Sequence, residues 1–315
     1  MKRKPPELLS DARARRAQGQ YDRTTLRGFH RSWYQRRDPA SLISWLGFRR
    51  DLGYPLQVRH YTWLSDALGR GWMSLLLHGV SPTEVKRGRM LCQEYEFHEG
   101  LPSPRTQGLR RPRWSLWRSE VQWRAEFLAW MSERGSRGVA LVGNGIQGRE
   151  SILGREIEGC GTVLRFNHYS SAEGPDPLLD SRLDAWVRAP DFRGPSPPVE
   201  WLILAGPASQ FTLWHWGPIM RQVEQGSKLV CVPLDIWGNL VRRLESPPSS
   251  GLLMAFWLSR LPEVGRHLRL FGFGHDPERD RVYHHARPRH PASSRHNWSR
   301  ERTLLAELMG EGPGG

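Results

Sequence analysis

The chain has 315 residues, enough to bury a full core as one large domain or two smaller ones. Lys and Arg number 46 against 32 Asp and Glu, a formal charge of +14 that favours anionic partners: nucleic acid, acidic headgroups, or phosphorylated and carboxylated substrates. No apolar run approaches the ~18 residues of a membrane span, and the start, MKRKPPELLSDARARR, has no apolar segment of a secretory signal. Cys92, Cys160 and Cys231 are odd in number and lack a CxxC pair, which argues against a disulfide framework or a zinc site and fits a reducing cytoplasm.

Residues 1–20 are charged and Pro-containing and predict a disordered basic tail. From 21 to 114 the text reads as a helical N-terminal region, with apolar segments such as Ser41–Leu46 and Trp63–Leu68 between Gly and Pro breaks. Ser81-Pro82-Thr83-Glu84 predicts a helix start, with Pro at the first position and an acid in the first turn, leading to about Phe97. Residues 99–113 are rich in Pro, Gly and Arg and read as a linker. A helix over 115–134 should open the α/β region, residues 115–309. The interleaved Arg and Trp before Trp130 could suit a nucleic acid or a membrane surface, but such Trp are more often core.

Val139–Val142 is an apolar run that breaks into Gly143-Asn144-Gly145. A short helical segment follows, then a second run, Thr162–Phe166, closing on Asn167. An apolar run ending in glycines before a helix is how an open α/β sheet presents backbone N–H groups to a phosphate, though any βαβ unit with a tight turn can look the same. Asn144 and Asn167 stand at matching strand ends, where their amides could bond ribose or phosphate oxygens or simply cap turns. Further strands at 184–187, 200–204, 228–232 and 268–273 alternate with helices at about 212–225, 234–245 and 251–261. That alternation predicts an α/β fold with a doubly wound, mostly parallel sheet and ligands beyond the strand carboxyl ends. Residues 310–315 read as a disordered tail.

Pro248-Ser249-Ser250-Gly251 opens the helix at 251–261, and Leu270-Phe271-Gly272-Phe273-Gly274 follows about twenty residues later. Ser249 and Ser250 supply hydroxyls and capping capacity, Gly251 permits close backbone approach, and the positive helix end favours a phosphate or carboxylate. A plain helix cap is the alternative. Downstream stand Tyr283-His284-His285, then His290, and last His296 with Glu301 five residues on. That spacing is poor for one helical face, so His296 should precede the helix that Glu301 enters.

These segments together resemble the animal-type sialyltransferases, glycosyltransferase family 29. Gly143-Asn144-Gly145, Gly154-Arg155-Glu156-Ile157 and Arg165-Phe166-Asn167 are similar to the three parts of the family's large motif, with Asp180-Ser181-Arg182 and Asp184 as a looser continuation. Pro248–Gly251 with the Phe271–Gly274 strand end resembles the small motif, Tyr283-His284-His285 the third, and His296…Glu301 the last, H-x-x-x-x-E. The likeness runs over about residues 138–308. It departs from the animal members where their two main motifs are bridged by a disulfide, here at Val139 and about Gly265, and in the third motif's Tyr pair. The missing cysteines suggest a soluble, bacterial relative.

The resemblance implies a GT-A-like variant fold behind a small helical lobe, and a glycosyltransferase of glycan biosynthesis. It would move sialic acid or a related acidic sugar from its CMP-activated donor to a glycan or glycolipid hydroxyl, inverting, metal-independent and without a cofactor. Asn144, Gly145, Asn167, Ser249, Ser250, Gly251, Gly272 and Gly274 would bind the nucleotide sugar. His296 would be the general base, His284 would stabilise the leaving charge, and Glu301 completes the catalytic set, with His290 the competitor for the base. Other readings are a transferase for another CMP-linked ulosonic acid, a catalytically inactive nucleotide-binding module, and, from charge alone, a nucleic-acid binder, the least favoured. The expected location is the cytoplasm, with peripheral contact at the anionic inner face of the membrane.

Overall fold

The computed structural model describes residues 5–69, 75, 80–98, 111–144, 151–167, 182–189, 192–206, 216–273 and 293–310. Six parallel strands form one sheet: β1 (Val139–Val142), β2 (Thr162–Phe166), β3 (Ala185–Arg188), β4 (Trp201–Leu204), β5 (Lys228–Cys231) and β6 (Leu268–Phe271). Their order across the sheet is β5-β4-β3-β2-β1-β6. The chain therefore steps from β1 to β5 in one direction and returns to place β6 on the far side of β1. Connections diverge between β1 and β6, and the crevice beyond their carboxyl ends is where an open parallel sheet receives ligands.

Strands β1 to β5 are short, largely apolar runs because both faces are covered, whereas the edge strand β6 is only partly buried, with Arg269 exposed. One face, including Val139, Leu141, Leu164, Phe166, Val187 and Ile203, joins the main core. It packs beneath α3 (Pro39–Asp51), α9 (Leu234–Leu244) and α10 (Ser250–Leu258). The opposite face holds two smaller clusters. Ala140, Val142 and Val163 pack with Ile157 of α7 (Ser151–Glu158), and Trp186, Leu202, Leu204 and Leu229 with Ile219 of α8 (Trp216–Glu224). A helix on each face is the predicted double winding. α6 (Arg111–Gly135) contributes Phe127 and Met131 to the main core and Leu116 to the other face. Its Glu120 accepts the edge-strand N–H of Cys231 at 3.0 Å, giving an otherwise open sheet edge a partner.

Before the sheet stand α1 (Pro5–Ala17), α2 (Arg23–Arg36), α3, α4 (Val58–Gly69) and α5 (Pro82–His98). The start of α5 is a reciprocal capping box: Glu84 N–H donates to Ser81 Oγ, and Ser81 N–H donates to the Glu84 carboxylate at 3.0 Å. Two expectations are corrected. The segment 1–20 is not a featureless tail, because residues 5–17 form a helix that buries Leu9 and Ala12. The linker of 99–113 ends sooner, since α6 begins at Arg111. Over residues 5–17 flanking charge hid two apolar contacts that suffice once the neighbouring helix α2 is present.

The helical lobe and the sheet share one continuous core. Trp237 of α9 donates its indole N–H to the carbonyl of Asp51 at 2.7 Å, and Tyr21 N–H donates to Glu245 O at 2.9 Å. Asp51 is fully buried and pairs with Arg87 at 2.6 Å and Arg16 at 2.8 Å, tying α1, α3 and α5 together. Among the described residues no helix is long and apolar enough to cross a membrane. The three cysteines are buried and unbridged. Val139, at the position the family resemblance assigns to a disulfide, donates its N–H to His267 O at 3.1 Å, two residues past Gly265.

Candidate functional site

α10 starts where the return from β5 comes back over the sheet, and two sets of residues meet there. On one flank lies the sheet's carboxyl end. Phe273, just past β6, packs at 6.2 Å between ring centroids against Phe166 of β2. A Cβ on Gly251 would stand 2.8 Å from the Phe273 ring, and one on Gly143 would stand 3.3 Å from the same ring and 2.9 Å from Gly272 O. Glycine is needed at both positions to admit an aromatic ring, where the sequence had suggested room for a ligand. Phe273 thus joins the β1 turn, the end of β2 and the start of α10.

Asn144 donates to Phe166 O at 3.3 Å. Asn167 takes the left-handed conformation, φ 43°, which Asn tolerates better than most residues, and its Oδ1 accepts Ala189 N–H at 2.9 Å. Each carboxamide ties adjacent strand ends together, which is the turn-capping role. Gly272 has φ 73° directly after β6. Gly145, Gly274, His284 and His290 lie outside the described residues.

The other flank of α10 carries the carboxylate and imidazole. Ser249 is the N-cap: its Oγ accepts Leu252 N–H at 3.2 Å. The Ser249 hydroxyl therefore donates onward to Glu301 Oε2 at 2.5 Å, and Ser249 N–H donates to Glu301 Oε1 at 2.8 Å. Glu301 sits in the first turn of α11 (Trp298–Leu308), whose N-cap is Asn297. His296 precedes that helix, as its spacing predicted. Its Nδ1 lies 2.8 Å from Pro247 O and 3.8 Å from Glu301 Oε1. A backbone carbonyl can only accept, so Nδ1 carries the proton of the neutral ring and the basic lone pair belongs to Nε2.

Glu301 is buried, and burial pushes its carboxyl up to about 7, with the two bonds from Ser249 opposing that rise. The carboxyl therefore exchanges its proton near neutrality. Ser250 and Gly251 follow in the first turn of α10, where backbone N–H groups lack carbonyl partners inside the helix and the positive dipole end favours an anion. Among the described residues no group of three His, Cys, Asp or Glu side chains is placed to hold a metal ion.

His296 opens onto a cleft of about 620 Å³. Three pieces of chain line it: Gln18–Asp22 from the α1–α2 turn, Leu244–Ser246 at the end of α9, and Ser294–Arg300. Trp298 stands edge-on to His296 at 5.1 Å. Two charges along this wall are paired, Arg300 with Glu245 at 2.9 Å and Asp22 with Arg15 at 2.9 Å, while Arg295 donates to the Tyr21 hydroxyl at 3.3 Å. Gly19, at φ 80°, lies so close that a Cβ there would be 2.4 Å from Arg295 O. The N-terminal segment is thus a wall of the site, which sequence reasoning missed. The signal available was Gly19 itself, a glycine between two polar residues after a helix.

No family model matches the chain, and no curated protein matches it. A solved mammalian sialyltransferase in complex with Gal-beta-1-3GalNAc-ortho-nitrophenol is similar to it, with 20% sequence identity and a TM-score of 0.40. That similarity covers 55% of this chain and 66% of the other, so the chain spans about two thirds of that enzyme.

Proposed function

We propose that the chain is a glycosyltransferase that moves sialic acid, or a related acidic sugar, from its CMP-activated form to a hydroxyl of a glycan or glycolipid. The reaction inverts the anomeric centre and uses neither metal nor cofactor. One observation carries the reading: three motifs far apart in sequence converge at the start of α10, with Ser249 bonded to Glu301 and His296 held beside both by Pro247 O.

In this reaction the acceptor oxygen forms its bond to the donor's anomeric carbon while His296 Nε2 takes the hydroxyl proton. The bond from that carbon to the phosphate oxygen breaks, and CMP leaves with the electron pair. Glu301 positions the loop that carries His296 and fixes the Ser249 cap; its oxygens are occupied by Ser249 rather than by a substrate. The first-turn N–H groups of Ser250 and Gly251 would receive the donor's phosphate or carboxylate. Asn144, Gly145, Asn167, Gly272 and Gly274 would border the nucleotide, with His284 assigned to the leaving charge. The cleft beside His296 would take the acceptor. Buried, unbridged cysteines fit an enzyme of the cytoplasm.

The test is incubation of the full chain with CMP-sialic acid, a chelator and a panel of glycan acceptors, read by mass spectrometry. An acceptor heavier by one sialic acid is expected; strict dependence on a divalent ion, or no CMP release with any acceptor, overturns the reading. His296→Ala should lower the transfer rate by about 10²–10⁴ while CMP affinity by calorimetry stays the same. Loss of rate in His290→Ala with His296→Ala unaffected would move the base to His290.

A further inference from the structure

α2 buries Thr25, Phe29 and Ser32 in the lobe and turns a second stripe outward. Arg23, Arg27 and Arg31 follow one another one turn apart, all exposed, and Tyr34 continues the line at 65% exposure. α2 contains no acid, and the two that flank it are engaged: Asp22 with Arg15, and Asp38 with Arg36. Among the described residues no carboxylate pairs with Arg23, Arg27 or Arg31. Like charges one turn apart weaken a helix, and among the described residues no carboxylate offsets them. An anionic surface brought from outside would.

Apolar surface adjoins this stripe. Arg37 stacks over Tyr34 at 4.8 Å and Trp33 at 5.2 Å, and Trp33 touches Trp63 of α4 at 6.3 Å between centroids. On α4, Trp63 and Val58 are exposed, Val58 at 68%, with Arg59 also exposed beside them and Asp66 as the helix's only acid. A row of arginines beside exposed Tyr, Trp and Val matches the two layers of a lipid surface, phosphates above and acyl chains below. A nucleic acid would use the arginines and leave Val58 without a role.

We propose that this face, the outer stripe of α2 with the exposed side of α4, docks the protein on an anionic phospholipid bilayer. Arg23, Arg27 and Arg31 meet headgroup phosphates, while Tyr34, Trp63 and Val58 enter the headgroup–acyl boundary. Asp22, the N-cap of α2, also lines the His296 cleft, so docking holds that cleft close to the headgroups. Binding itself does not depend on the transferase reading.

The test is flotation of the full chain with vesicles of phosphatidylcholine alone or mixed with phosphatidylglycerol. Binding is expected only with the anionic lipid, and it should weaken as salt rises. Each arginine near such a surface is worth about fivefold in partitioning, so Arg27→Glu with Arg31→Glu should lose at least about tenfold. Arg155→Glu with Arg266→Glu, two exposed arginines away from this face, makes the same change in net charge and should bind like wild type. Arg27→Gln with Arg31→Gln serves if the reversed pair fails to fold, with a smaller loss in the same direction. Tyr34→Ser with Val58→Ser should reduce the binding that survives at high salt. Equal losses in the two arginine pairs would mean attraction to net charge alone and overturn the proposal. Absence of vesicle binding, with RNA or DNA binding that Arg27→Glu and Arg31→Glu abolish, would replace it with a nucleic-acid surface.

Discussion

Two buried carboxylates, one in the helical lobe and one at the end of the sheet, are kept in opposite ways. Asp51 is enclosed by cations. Burial alone would raise its pKa, but Arg87 and then Arg16 reverse this and hold the carboxyl below its ordinary value. Glu301 is as deeply buried, yet its two oxygens meet only Ser249, with His296 at 3.8 Å, and burial wins. The lobe spends its charges on one another, as Arg50 also does with Glu94 at 2.9 Å. At the sheet end a carboxyl is left poised between protonation states. Opposite charges hold the lobe's buried carboxylate ionised, whereas the one at the sheet end has only the neutral donors of Ser249 against the cost of burial.

The largest consequence is at Asp51. Asp51→Asn keeps the shape but takes the buried carboxylate away from the half-buried Arg87 and Arg16. Breaking a buried pair costs about 3–5 kcal/mol, the upper bound here because both arginines keep some access to water. Urea denaturation near neutral pH should show that loss. Glu301→Gln is the counterpart: its amide can still accept from Ser249 N–H and donate to Ser249 Oγ, and no charge is stranded. Its stability should match or exceed wild type above neutrality. If both substitutions destabilise equally, the contrast between the regions is wrong.

The pH dependence sharpens the contrast. Glu301 has a folded pKa of about 7, above the ordinary glutamate value. Between those two values the folded state holds a proton that the unfolded state has released, so stability falls as pH rises through the window, by up to roughly 3 kcal/mol. His60 of the lobe acts in the opposite sense. Burial, then Arg49 and Arg59, lower it from 6.5 to about 4, and its Nδ1 accepts Gln57 N–H at 3.2 Å, which requires the neutral ring. The unfolded state takes up that proton first, so stability is lost as pH falls from 6.5 toward 4. Denaturation midpoints measured across this range should rise with pH in Glu301→Gln more steeply than in wild type. Parallel profiles would mean that Glu301 titrates in its ordinary range.

Local patterns carried most of the fold. The apolar runs at Val139–Val142 and Thr162–Phe166 became β1 and β2 with the same limits, because a strand covered on both faces is legible as a mostly apolar run, even with Arg165 inside the second. Pro82 at the first position and Glu84 in the first turn announced the start of α5, and the reciprocal bonds of Ser81 and Glu84 came with it. Of the site, His296 before a helix and Glu301 within it could be read from spacing. The Ser249–Glu301 bonds could not, since 52 residues separate the partners. Nor could the sequence show that Gly143 and Gly251 make room for Phe273, or that Gln18–Asp22 walls the cleft. A glycine declares that space is needed without saying what fills it. The Asp51 cluster was hidden for a related reason: among so many arginines, no local pattern marks the two that pack against one aspartate.

The smallest effect concerns the joint between the two regions. Trp237 reaches from α9 to the carbonyl of Asp51, a buried bond of 2.7 Å between residues 186 apart. The same aspartate therefore anchors the lobe through its side chain and the sheet region through its backbone. Trp237→Phe keeps much of the apolar contact and removes the donor, leaving a buried carbonyl unpaired at a cost of about 1–3 kcal/mol. Because Asp51 serves both links, the losses should not add: in Asp51→Asn the helix end is already loosened, and Trp237→Phe should then cost less than it does alone. A double-mutant cycle by urea denaturation measures this directly. Strict additivity would mean that lobe and sheet are joined by apolar packing alone, with the indole bond incidental to the joint.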